Sequence, residues 1–310
     1  MSLHNQKIAV NSALDAIINP QHQFSVEEHW ITLDAARPSA RMRYLSAGSG
    51  PALLLVHGLL GYSFSWRFAI PALAQHATVY AMDMLGTGFS DRPPGLDCSL
   101  EASAQRLLDF MDRTGKDRTG LARCDLLGTS HGGAVAMLAA ALAPDRIRRL
   151  TLVDPVNPWS AHGKQLSIFL SNPLVAPLFL NLAPRVRILD EFYHRRMFGD
   201  QRRIPPDSLE GYRKPMRIPG SYEYGLAVLR SWNRDLKELE SMLPRIAHIP
   251  TLLIWGSLDA AVDPASAAQL KRRFRDCRLV MFEGVGHLPY EEVPEEFNRA
   301  VTEFLSPNSH

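Results

Sequence analysis

Ser130 lies in Gly128-Thr129-Ser130-His131-Gly132, between the apolar run "CDLLGTS" and the alanine-rich run "GGAVAMLAAALAP". A chain that passes from strand to helix within so few residues brings backbone segments close together. Glycines two residues before and two after the turning residue remove the side chains that would collide. The hydroxyl is then presented at a helix N-terminus, beside unpaired amide N–H groups and the positive end of the helix dipole, where an anion is stabilised. A hydroxyl is a weak nucleophile near neutral pH. It needs an imidazole to take its proton, and a carboxylate to hold the imidazole's tautomer and balance its charge. Both occur later in the chain: "LLIWGSLDAAVDP" carries Asp259 and "VMFEGVGHLPYEEVP" carries His287, each just beyond a run that reads as a strand. The order Ser130, Asp259, His287 fits a strand-turn-helix nucleophile followed by acid and then base.

Other polar residues compete for these roles. Asp154 closes the run "IRRLTLVDP" and is the rival carboxylate, although Asp259 has the better loop match. Asp263 precedes "PASAAQL" and reads as a helix N-cap. His57, directly after an apolar strand, is expected to bond neighbouring backbone and shape its loop, and Asp83 to bond the turn that follows it. The ring of His131 is expected to line or border the pocket. The eleven histidines include no helical HxxxH pair and no Cys/His cluster with zinc spacing, so no metal is expected. "GTGFSD" lacks the rest of a dinucleotide fingerprint, and no cofactor is expected.

Positioning these side chains requires an alternating α/β framework. "HWITL" and "ARMRYLSAG" read as an antiparallel opening pair. "PALLLVHG", "ATVYAMDM", "CDLLGTS" and "IRRLTLVDP" follow as strands separated by helical patterns, several of them nearly continuous apolar runs of the kind covered on both faces. From about residue 157 to 246 the strands stop and only proline-punctuated helical patterns remain. "PTLLIWG", "PASAAQLKRRF", "RLVMFEG" and "PEEFNRAVTEFL" then restore the alternation. The fold class expected is α/β, a mostly parallel twisted sheet with helices on both faces. Residues 1–156 and 247–310 would form the core domain, and 157–246 an inserted α-helical domain.

Composition excludes several function classes. The chain has 310 residues, 46% hydrophobic and 21% charged, with a formal net charge of +2, which neither suggests disorder nor calls for a polyanionic partner. The arginine pairs 148–149, 195–196 and 202–203 stand in no nucleic-acid motif. Cys98, Cys124 and Cys277 are odd in number and widely spaced, which makes no disulfide framework. The opening "MSLHNQKIAV" has no apolar stretch long enough for a signal peptide, so a cytoplasmic location is expected. The window 166–182 is interrupted by Ser171, Asn172, Pro173, Pro177 and Asn181 and makes a poor membrane span.

Taken together these motifs resemble the α/β hydrolase family, over nearly the whole length outside the helical insertion. "VHGLLGYSFSW" is similar to the family's His-Gly oxyanion loop, and "MDMLGTGFSDRP" to its Asp-x-x-Gly-x-Gly-x-Ser turn. The resemblance implies that the backbone N–H groups of Leu59 and His131 hold an oxyanion, and that the insertion folds over the strand ends as a cap. Dehalogenases and epoxide hydrolases of this fold use aspartate where Ser130 stands, and "HGLLGY" lacks the Gly-Pro-Gly or related element usual in proline iminopeptidases and C–C bond hydrolases. The expectation is a serine hydrolase of carboxylic esters, using Ser130, His287 and Asp259 on a small, largely apolar substrate. Lactonase, C–C hydrolase and perhydrolase chemistry on the same three residues remain open, as does a small-molecule receptor built on this fold. Phe, Leu and Met side chains in the insertion, including Leu166, Phe169, Leu174, Leu178 and Phe179, have two jobs open to them: packing on the core or lining the cavity.

Overall fold

The computed structural model describes residues 25–34, 39–114, 121–160, 162, 164–182 and 185–306. The opening segment on which the signal-peptide expectation rests lies outside them. Among the described residues eight strands form one sheet: β1 (Glu27–Leu33), β2 (Ala40–Ala47), β3 (Ala52–Val56), β4 (Thr78–Met82), β5 (Cys124–Thr129), β6 (Ile147–Val153), β7 (Thr251–Gly256) and β8 (Cys277–Phe282). Their spatial order is β1-β2-β4-β3-β5-β6-β7-β8. The first two junctions are antiparallel, and from β4 onward every pairing is parallel. All eight strands coincide with the runs read from the sequence.

The apolar runs are continuous because both faces of the sheet are covered. Leu54, Val56, Leu126, Leu150 and Leu253 point into one core cluster, filled by the helices α1 (Leu100–Arg113) and α2 (Ser130–Leu142). Their neighbours Leu53, Leu55, Leu127, Leu252 and Ile254 point into the other, shared with Phe297, Ala300 and Val301 of the closing helix. Helix α1 is capped by the Ser99 hydroxyl, which accepts from the Ala102 amide. Helix α2 begins at Ser130 itself, two residues earlier than its alanine-rich pattern, and its apolar residues are buried all round.

Between β6 and β7 lie α3 (Lys164–Ser171), α4 (Val175–Leu182), α5 (Arg187–Arg196), α6 (Ser208–Met216) and α7 (Ser221–Met242). No strand is found among the described residues of this insertion. It rests on loops at the C-terminal ends of β3, β4 and β8. Tyr62 donates to the Gly211 carbonyl at 2.9 Å, and Tyr224 packs so tightly on Gly86 that any side chain there would strike its ring. The amide of His287 donates to the Met197 carbonyl at 2.7 Å.

The first apolar stretch of the insertion is more open than a packing or cavity-lining role requires. Phe169, Leu174 and Leu178 are 61%, 87% and 59% exposed. Helical period explains this. The faces turned inward belong to Ser167, whose hydroxyl donates to the Leu229 carbonyl of α7, and to Ala176. Ile168, Phe169, Leu178 and Leu182 are left on the outer side, and the side chain of Leu166 lies outside the described residues. Phe179 is half-buried, edge-on to Tyr222. No helix among the described residues is long and apolar enough to cross a membrane.

Candidate active site

Ser130 has φ +53°, a left-handed conformation rare for a side-chain-bearing residue. The sharp turn from β5 into α2 imposes it. A Cβ on Gly128 would sit 2.5 Å from the Gly132 carbonyl oxygen, and one on Gly132 would collide with the His57 carbonyl. The two glycines flanking Ser130 therefore permit the close approach that the motif implied. Gly58 lies against the serine: a Cβ there would be 3.0 Å from Ser130 Cβ and 3.6 Å from Oγ. Leu59 follows directly in this loop, and the His131 amide, in the first turn of α2, has no intrahelical acceptor.

Asp259 and His287 are brought together. His287 Nδ1 and Asp259 Oδ2 are 2.8 Å apart, with His287 5% and Asp259 4% exposed. The other oxygen of Asp259 accepts from the amides of Ala261 at 2.7 Å and Val262 at 2.9 Å, which fixes the carboxylate plane. Sheet register supplies the proximity: Thr129 pairs with Val153, Val153 with Ile254, and Gly256 with Phe282, so four adjacent parallel strands end in one row. Among the described residues no hydrogen bond joins Ser130 Oγ to His287. Such contacts are often long without substrate and tighten when it binds.

Asp154 sits behind this pair. It is fully buried at φ +44°, and its Oδ1 accepts from the Gly256 amide at 2.9 Å. Ligand atoms of Asp154, Asp259 and His287 fall within 4.8 Å of one another. As a metal site this set is poor, because hydrogen bonds already occupy His287 Nδ1, both oxygens of Asp259 and one of Asp154. Asp154 Oδ2 is buried without a partner.

The remaining candidates are structural. His57 Nε2 accepts from the Met84 amide at 2.9 Å, which places its proton on Nδ1, 2.8 Å from the Gly58 carbonyl. Burial pushes its pKa down, consistent with a neutral ring. Asp83 accepts from the amides of Ser63 and Phe89 and from the buried Arg43 guanidinium. Asp263 accepts from the Ala265 amide as an N-cap. The His131 ring stacks on Trp232 with centroids 6.2 Å apart, and burial pushes its pKa down to about 4.

Sequence reasoning missed the two glutamates after His287. Glu292 accepts from the amides of Gly286, Gly199 and Asp200 at 2.9–3.0 Å. Glu291 takes both terminal nitrogens of Arg67, at 2.7 and 3.0 Å, together with the hydroxyls of Ser208 and Tyr212. Together they fasten the histidine loop to the helical insertion. The signal present in the sequence was an adjacent acidic pair inside an otherwise apolar turn, "HLPYEEVP".

Known proteins place this architecture. Haloalkane dehalogenase 2 of Mycobacterium tuberculosis is 28% identical over 302 residues, covering 94% of this chain and 99% of its own. The 2-hydroxy-6-oxo-2,4-heptadienoate hydrolase of Pseudomonas putida is 28% identical over 271 residues, covering 84% and 90%. The structure of a thermophilic esterase from Thermogutta terrifontis superposes with a TM-score of 0.75 at 25% identity, over 90% of this chain and 98% of the other. The family profile for the alpha/beta hydrolase fold matches residues 51–294, and the chain belongs to that family.

Proposed function

We propose that this protein is a serine hydrolase of carboxylic esters and that the helices between β6 and β7 are its cap. Ser130 Oγ attacks the ester carbonyl while His287 takes its proton. Asp259 holds the His287 Nδ1–H and balances the imidazolium. The N–H groups of Leu59 and His131 receive the charge that develops on the carbonyl oxygen, each worth a factor of roughly 100–1,000 in rate. His287 returns its proton to the leaving alcohol, and water then repeats the sequence on the acyl-enzyme.

The observation that carries this reading is a serine held at φ +53° on a helix N-terminus, with an imidazole–carboxylate couple at 2.8 Å on the ends of neighbouring strands. A hydroxyl in place of an aspartate at position 130 disfavours dehalogenase and epoxide hydrolase chemistry, because an alkyl-enzyme ether has no easy hydrolytic exit. C–C bond hydrolysis is the second reading, favoured by the 28% identity to the heptadienoate hydrolase.

The test is a panel of p-nitrophenyl esters varied in acyl length, run beside a vinylogous diketone. Ester turnover with an acyl-enzyme burst, reduced about 1,000-fold or more in Ser130→Ala, is expected. Turnover of the diketone with none of any ester would select the second reading, and turnover unaffected by Ser130→Ala would refute both.

A further inference from the structure

Asp154 is a buried ionisable group that the proposed chemistry leaves unused. Its amide donates to the Ile254 carbonyl and its Oδ1 accepts from the Gly256 amide, so backbone bonds on both sides lock the side chain in place. Its Oδ2 receives no donor although it is fully buried. What lies beside it is a second carboxyl group, Asp259, with an oxygen of each within 4.8 Å of the other. The ionisable groups around it are Asp259 of the β7 loop and His287 and Tyr290 of the loop after β8. No lysine or arginine among the described residues is ion-paired with either carboxyl.

Two carboxyl groups this close in a dry site strongly disfavour carrying charge together, and a proton on one of them removes the repulsion. The donors decide which group keeps that proton. Asp259 already has three donors on its two oxygens, two amides and His287. Asp154 accepts from one amide. Burial first, and the Asp259 charge second, hold the Asp154 carboxyl well above the usual carboxylate range.

We propose that Asp154 is a positioning residue: a neutral carboxylic acid whose Oδ2–H donates to Asp259, so that one negative charge, held from both sides, stands behind His287. The donated proton fixes the Asp259 carboxylate against β6 and weakens its basicity. The histidine then returns its proton more readily than it would facing a carboxylate without that donor. This inference rests on Asp259 and His287 acting as a couple, and its test does not require ester turnover.

The experiment follows the aspartate carboxyl carbons by NMR in protein labelled with 13C at those atoms, with Asp154 assigned from the signal lost in Asp154→Asn. An Asp154 signal that keeps the position of a protonated acid from pH 5 to 8 is expected, and one at the ionised position across that range would overturn the proposal. The His287 ring is titrated by 15N NMR in parallel. Asp154→Asn, neutral and still a donor, should leave the midpoint within about 0.3 unit of the native protein, whereas Asp154→Leu, without a donor, should raise it by about one unit. A fall of a unit or more in Asp154→Asn would mean that a charge had been removed, and would also overturn the proposal. If Asp154→Leu fails to fold, the carboxyl signal and the asparagine variant still decide.

Discussion

Ser130 is held in a left-handed conformation that costs an L-residue about 1–2 kcal/mol. Under the proposed function that strain is kept for chemistry rather than for stability, and mutation separates the two. Ser130→Gly is expected to raise Tm by about 1–2 °C while abolishing ester turnover, measured by thermal melts and steady-state rates on one preparation. The glycine spacing that permits this turn is local and could be read directly from the chain. The choice between Asp154 and Asp259 could not be made on the same footing. Both follow strands; the loop match favoured Asp259, and the three-dimensional arrangement gives it His287 Nδ1 with Asp154 close by.

At the scale of elements, the strands were legible because a fully covered parallel sheet writes itself as apolar runs, "ALLLV" of β3 and "TLLIWG" of β7 among them. The attachment of the histidine loop was not legible, since Glu292 binds amides 92 and 93 residues away. That attachment ties the position of His287 to the insertion. Glu292→Gln keeps one oxygen acceptor and turns an N–H₂ toward amide donors. It should cost about 2–3 kcal/mol of stability and lower kcat more than it raises KM, readable from denaturant melts and Michaelis–Menten kinetics. For Glu291, the buried Arg67 left behind in Glu291→Ala should cost more, about 3–5 kcal/mol. Unchanged melts in both variants would mean that the loop is held by its apolar contacts alone.

For the whole molecule, burial of uncharged histidines sets the response to acid. The folded-state pKa of His131 lies near 4 and that of His57 is also lowered, whereas both titrate near 6.5 in the unfolded chain. Between those values these two histidines bind more protons in the unfolded state, so their contribution to stability rises with pH through this window and is lost as pH falls from about 6.5 toward 4; the protonated Asp154 works in the opposite direction and offsets part of it. His131 alone accounts for about 3 kcal/mol. Thermal melts across this range should show that slope, and His131→Gln, which keeps the backbone N–H, should flatten it. The same scale explains what composition concealed in the insertion: the apolar residues of α3 and α4 announced helices, but the most buried positions fell to Ser167 and Ala176 while Phe169 and Leu178 stayed exposed.

The most direct measurement is covalent labelling with a fluorophosphonate, followed by intact mass and peptide mapping. One adduct per chain, on Ser130, is expected, with a labelling rate that falls on acidification and drops about 1,000-fold or more in His287→Gln. An adduct on another residue, no adduct, or a rate unchanged in His287→Gln would contradict the assignment of Ser130 as a nucleophile served by His287.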